Sequence, residues 1–213
     1  YYAGLGVIGK MIEIAAFSTK IPVVLHLDHG KNITLIRKCL DLGYTSIMFD
    51  GSEFNFRKNL KLTRKVVELV HKKGASVEAE LGKIYGVEDD VISEDYGYTE
   101  PKEAEEFVKK TNVDALAISI GTSHGVFKRR ANQLRFDLLQ EIRKKLKIPL
   151  VLHGASMVDQ GVVRKAKRFG LRIEKSKGIK EQDLRKAIKL GISKINVDTD
   201  LRIVFTTAMR EFM

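Results

Sequence analysis

PVVLHLDHG, residues 22–30, starts as a core strand with Val23, Val24, Leu25 and Leu27 and finishes in Asp28, His29 and Gly30. Burying an unpaired charge costs several kcal/mol or more. Ionisable groups at the end of an apolar strand therefore need partners or a ligand. The same pattern returns in SIMFD (46–50), SVEAEL (76–81), ALAIS (115–119), PLVLHG (149–154) and KINVD (194–198). These short runs rich in Val, Ile and Leu close in Asp50, in Glu80, in Ser119 with His124 beyond, in His153, and in Asn196 with Asp198.

Helical periodicity fills the intervals. Ile8, Met11, Ile12 and Ala15 share one face, as do Ile33, Ile36 and Leu40, then Val66, Val67 and Val70. Ala104, Phe107 and Val108, then Leu138, Leu139 and Ile142, and last Leu184, Ala187 and Ile188 repeat the pattern. Gly43, Gly74, Gly170 and Gly191 supply stop signals. The long interval between PLVLHG and KINVD holds two helical pieces around LRIEKSKGIKEQ, an elaboration of one βα unit.

Apolar strands alternating with helices imply a parallel sheet covered on its faces. An open doubly wound sheet gathers ligand groups at a switch point, where only some strands contribute. A barrel builds its site from all the strand tops. Polar groups end every run here, so the expected fold is α/β, a (β/α)8 TIM barrel. Six strands cannot close that barrel. Its first two strands are expected ahead of Tyr1, and residues 1–213 are read as a single TIM-barrel domain holding the third to eighth βα units, incomplete at both ends.

Composition narrows the class. The chain has 213 residues, 44% of them hydrophobic, enough for one sizeable core. No run approaches the ~20 apolar residues of a membrane span, and no signal-peptide pattern occurs. Cys39 is the only cysteine, which fits an inert thiol in a helix and a cytoplasmic location. The net charge is +11, but Lys and Arg are scattered among Glu and Asp on helical segments such as FDLLQEIRKKLK (136–147). No aromatic or glycine interleaving accompanies them, so neither nucleic acid nor membrane is expected as a partner. GLGVIG (4–9) matches the dinucleotide fingerprint in letters only; no strand precedes it, and it reads as a helix start.

Three of the five histidines, His29, His124 and His153, fall at or just past strand ends, each beside a glycine. Three neutral imidazoles from different strand tops, with a fourth position open, are what a catalytic zinc requires. His26 and His71 read as structural. Asp28 stands beside the proposed metal and can act as acid or base. Glu78 and Glu80 share parity and point inward, where cation coordination or hydrogen bonding is expected. The acidic stretch KIYGVEDDVISEDYGY (83–98) is either a solvated loop or a mobile lid carrying a carboxylate. GTSHG (121–125), HGAS (153–156) and NVDTD (196–200) offer backbone N–H groups and small hydroxyls to a phosphate, with Lys128 adding charge.

Taken together, LHLDHG, IMFDGS, VEAELGKIYGVEDD, IGTSHGVFK, PLVLHGAS and KINVDTDLR resemble the zinc-dependent class II fructose-bisphosphate aldolases, in that family's order and through nearly the whole chain. The resemblance implies a (β/α)8 barrel that splits fructose 1,6-bisphosphate reversibly into dihydroxyacetone phosphate and glyceraldehyde 3-phosphate. It makes His29, His124 and His153 the zinc ligands, and gives Asp50 and Glu80, with His29, an alternative metal position. Asp28 becomes the acid/base at the C4 oxygen, and Glu88 the lid carboxylate that moves the proton at the ketose-phosphate carbon. Gly125, Lys128, Gly154, Ser156, Asn196 and Thr199 fall around the dihydroxyacetone phosphate moiety, and Asp198 near substrate hydroxyls. A monovalent cation is a second cofactor candidate, and a homo-oligomer, dimer or tetramer, is expected.

Cleaving the C3–C4 bond leaves an enediolate that needs a Lewis acid, so no Schiff-base lysine is required. Tyr85 stands where the family usually has glycine, and Met157 where a smaller or polar residue is usual. The alternatives are a related aldolase acting on tagatose 1,6-bisphosphate or another ketose phosphate, a metal-dependent barrel hydrolase, and a non-catalytic phosphosugar-binding barrel.

Overall fold

The computed structural model of the chain describes residues 3–88, 91–93, 97–124, 134–173 and 178–213. Among them the elements run α1 (Leu5–Phe17), β1 (His26–Gly30), α2 (Ile33–Asp41), β2 (Ser46–Phe49), α3 (Phe56–His71), β3 (Ser76–Leu81), β4 (Tyr85–Glu88), β5 (Val91–Ser93) and α4 (Pro101–Thr111). Then follow β6 (Ala115–Ile118), β7 (Ser123–His124), α5 (Phe136–Lys145), β8 (Leu150–Leu152), α6 (Gln160–Arg168), α7 (Glu181–Lys189), β9 (Ile192–Ile195) and α8 (Thr199–Phe212). This is the alternation of a TIM-barrel-like α/β fold. The chain divides into two compact units, Tyr1–Glu80 with Glu106–Leu116, and Leu81–Glu105 with Ala117–Met213.

In the first unit β1, β2 and β3 lie side by side and parallel, Ser46 facing His26 on one side and Ser76 on the other. Side-chain caps start the helices behind them: Asn32 accepts from the Leu35 N–H, and Asn55 from the Lys58 N–H. Thr63, Val66, Val67 and Val70 form the buried face of α3 at helical spacing. At the end of that helix, His71 Nε2 lies 2.8 Å from Asp114 Oδ2, which also accepts the Val77 N–H. His71 is thus structural, as its position suggested. Cys39 is fully buried in α2, and burial pushes its thiol pKa up.

In the second unit β8 and β9 pair in parallel, and β4, β5 and β7 make a small separate sheet. Val158, Val163, Ala166, Ile173 and Ile203 pack as one apolar cluster that includes residues of α6 and α8. The α6–α7 pair fills the long interval read as two helical pieces.

Three expectations change. The first strand spans His26–Gly30, not 22–28. Its partner β2 begins at Ser46, opposite His26, so residues 22–25 overrun the ladder; Val23 and Val24 are 43% and 62% exposed. The last strand is Ile192–Ile195, not 194–198, because its ladder with β8 stops at Leu152–Ile195 and the chain turns into α8. The acidic stretch contains an antiparallel β4–β5 pair with Val87 facing Ile92, where a loop was one of the two readings. GLGVIG opens α1, as read.

Candidate active site

The local backbone explains the DHG sequence. Leu27 pairs with Ile47 and Gly30 with Phe49, so β1 carries one more residue than β2 over that interval. The resulting bulge breaks strict in–out alternation at Asp28 and His29. His29 takes a left-handed backbone, φ 45°, which is costly for a residue with a Cβ and found where a site demands it. Gly30 must be glycine, since a Cβ there would stand 2.6 Å from the Met48 carbonyl oxygen. The bulge leaves Asp28 exposed and His29 partly buried.

His29 Nδ1 is 2.9 Å from Asp50 Oδ2 at the end of β2. That contact orients the ring, so that a metal held by His29 while Asp50 keeps Nδ1 would be met by Nε2. Burial works to lower the His29 pKa, but the Asp50 hydrogen bond and the charges of Glu80 and Asp28 prevail and raise it to about 9. Asp50 is buried too; burial opposes its ionisation, yet His29, Ser52 and Lys31 hold it well below the usual carboxylate range. Glu80 shows the opposite balance. Burial and the neighbouring Asp50 push its pKa well above the usual value, with His29 the main opposing charge.

Glu80 Oε2 is buried, lies 3.9 Å from His29 Nδ1, and has no hydrogen-bond partner among the described residues. Candidate ligand atoms of His29, Asp50 and Glu80 all lie within 4.8 Å of one another. A part-buried imidazole, two buried carboxylates and an acceptor without a described partner are the donor types a divalent cation takes. Glu78, also buried, lies 4.0 Å from His26 Nε2, and His26 Nδ1 meets Ser46 Oγ at 2.8 Å.

The second unit places the other histidines. His124 in β7 sits in register with Gly86, one strand over from the backbone that ends in Glu88. The rings of His124 and His153 are 6.1 Å apart, edge to face. Asn196 Nδ2 lies 3.2–3.3 Å from the two ring nitrogens of His153, and the Asn196 carbonyl accepts from the Ala155 N–H. Gly154 has φ 62°, and a Cβ on it would fall 2.6 Å from the Ser123 carbonyl oxygen. Ser156 and Thr199 are buried, and Thr199 opens α8. Asp198 pairs instead with Arg202, at 2.6 Å. Gly125 and Lys128 lie outside the described residues, and Glu88 is described through its backbone alone.

Four supporting residues were given no role by the sequence reading. Lys31 lies 3.5 Å from Asp50 and also pairs with Glu53. Ser52 donates to Asp50 through both N–H and Oγ. Asn59, buried in α3, donates to the Glu80 carbonyl. Asp200 accepts the N–H groups of Met157 and Val158, tying the turn after HGAS to the start of α8. The Asp50–Ser52 contact spans two residues and is an Asx-type turn that the DGS spacing offers; the others depend on contacts between elements.

The sequence model described as fructose-bisphosphate aldolase class-II matches residues 1–213. A fructose-bisphosphate aldolase of Treponema pallidum is 46% identical over 209 residues, covering 91% of this chain and 63% of its own length. One from Thermus caldophilus is 43% identical, covering 95% of this chain and 67% of its own. Thus the chain spans about two thirds of the length of these relatives. Among solved structures, a putative fructose-1,6-biphosphate aldolase from Coccidioides immitis superposes with a TM-score of 0.80 at 31% identity, covering 98% of this chain and 67% of its own. The YdjI aldolase from Escherichia coli K12 gives 0.76 at 34%, covering 98% and 65%.

Proposed function

This chain belongs to the class II fructose-bisphosphate aldolase family, and from that premise we propose that its protein is a zinc-dependent lyase splitting fructose 1,6-bisphosphate reversibly into dihydroxyacetone phosphate and glyceraldehyde 3-phosphate. The observation that carries the reading is the bulged end of β1, which sets Asp28 beside His29 next to buried Asp50 and Glu80. In this reading His29, His124 and His153 hold the zinc, while Asp50 and Glu80 with His29 form an alternative position. A monovalent cation is a further candidate cofactor. Bound zinc supplies the Lewis acidity that stabilises negative charge on the substrate's C2 and C3 oxygens.

The chain's own groups do the rest. Exposed Asp28 takes the C4 hydroxyl proton as the C3–C4 bond breaks. Glu88, at the end of β4, protonates the three-carbon fragment. Gly154, Ser156, Asn196 and Thr199, with Gly125 and Lys128, hold the dihydroxyacetone phosphate moiety, and Asp198 meets substrate hydroxyls. Buried Ser156 and Thr199, with the N-terminal N–H groups of α8, suit a phosphate. Residues 1–213 belong to one TIM-barrel domain of a cytoplasmic homo-oligomer in this reading. No helix among the described residues is long and apolar enough to cross a membrane.

The test is cleavage of fructose 1,6-bisphosphate before chelation, after chelation, and after zinc is restored. Activity that vanishes and returns is expected. Activity indifferent to chelation sinks the three-histidine site. Absence of cleavage throughout moves the assignment to tagatose 1,6-bisphosphate or to a phosphosugar-binding role.

A further inference from the structure

The Asp50 carboxylate already has a full set of donors. Ser52 gives Oδ1 its N–H at 3.0 Å and its hydroxyl at 2.7 Å. Oδ2 is shared between His29 Nδ1 at 2.9 Å and Lys31 Nζ at 3.5 Å. A carboxylate offers about four acceptor positions, and here each faces a protein donor. To ligate a metal, Asp50 would have to give one up. Lys31 is also the donor among them that stays cationic whether or not His29 carries a proton. Its ammonium is held from the other side by Glu53, an exposed carboxylate just before α3, so it straps the turn after β1 to the turn after β2.

We propose that Lys31 is a built-in counter-cation that keeps Asp50 in the role of orienting His29 and keeps a second divalent ion out of the His29–Asp50–Glu80 cluster. The inference rests on the three-histidine zinc reading above and replaces its alternative position: Asp50 is a positioning residue, and the His29–Asp50–Glu80 cluster is closed to a second ion by a charge on this chain. A divalent ion against Asp50 Oδ2 would stand within a few ångströms of the ammonium, where repulsion is weakly screened in a partly buried setting. Lys31 opens the position only by swinging wholly to Glu53. Sequence reading singles out the motif DHG and passes over the lysine that follows it.

Calorimetric titration of the metal-free protein with Zn2+, repeated with Co2+ to follow its visible spectrum, reads the effect without relying on turnover. Wild type and Lys31→Arg are expected to show the same first ion and the same weak or absent second one. Lys31→Met is expected to take up a second ion with affinity higher by about tenfold or more, leaving the first within about twofold. Lys31→Gln is the substitute should the methionine variant misfold by circular dichroism. A folded Lys31→Met or Lys31→Gln protein that binds the first ion normally, with the second unchanged, overturns the gate alone. Failure of wild type to bind even one ion overturns the zinc reading and the gate with it.

Discussion

The strand tops of the two units handle burial in opposite ways. In the first, Asp50 and Glu80 are buried charges or near-charges, balanced by His29, by Lys31 and by the hydrogen bonds of Ser52. In the second, the described contacts of His153 are with the Asn196 amide and the His124 ring, and Ser156 and Thr199 are buried nearby in the chain. Electrostatic balance tunes a group's protonation and responds to pH and bound ions. Close-packed neutral surroundings fix position and respond to added volume. Substitutions at these strand tops should therefore show up differently: at Asp50 through protonation and metal affinity, at Gly154 through stability.

The largest effect expected is that of Asp28→Asn. It removes the exposed carboxylate proposed to move the C4 proton and should lower kcat by about 10²- to 10⁴-fold, with metal content unchanged by elemental analysis. A similar loss of bound metal would instead make Asp28 a support for the site. Gly154→Ala tests the second unit. A Cβ 2.6 Å from the Ser123 carbonyl oxygen at φ 62° should cost about 3 kcal/mol, seen as a fall in Tm.

Asp50→Asn should weaken zinc binding by about 10- to 100-fold, because it removes the ionised partner of His29 Nδ1; titration of the metal-free protein measures it. Wild-type affinity in the Asp50→Asn protein would deny Asp50 its orienting role. The pH dependence follows from the same pair. His29 is raised from 6.5 to about 9 in the folded metal-free chain. Its stabilisation is then fully present below about pH 6.5 and is lost as pH rises through about 9. The Tm of the metal-free protein should fall across that window. Zinc affinity should rise over the same range by about tenfold per unit, since binding displaces one proton. The smallest effect is expected at the helix starts, where Asn32→Ala and Asn55→Ala should each cost about 1 kcal/mol without changing metal binding.

Much of this was legible in the chain. SVEAEL coincides with β3 residue for residue because a strand with partners on both sides is bounded by its own apolar run. PVVLHLD does not coincide with β1, since the ladder of the neighbouring strand, not apolarity, decides where a strand begins. The β4–β5 pair was harder to see: four and three residues, acidic and glycine-containing, have too little periodicity to announce a strand. His29, Asp50 and Glu80 could be marked from strand-end positions alone. Which of them ligates and which orients could not, because that turns on whose oxygen faces whose nitrogen.

The sequence by itself determined the alternation of apolar strands and helices, the polar residue at each strand top, and the family motifs that bind these into one functional reading. Those properties are local, set by periodicity and by residue types at fixed spacings. Only the tertiary structure decided that β1 bulges at Asp28 and His29, that Glu80 keeps an oxygen without a hydrogen bond among the described residues, and that Lys31 stands against Asp50. Each depends on the register and distance between residues far apart in the chain, and a shift of one residue or a few ångströms is enough to turn a ligand into a partner of a ligand.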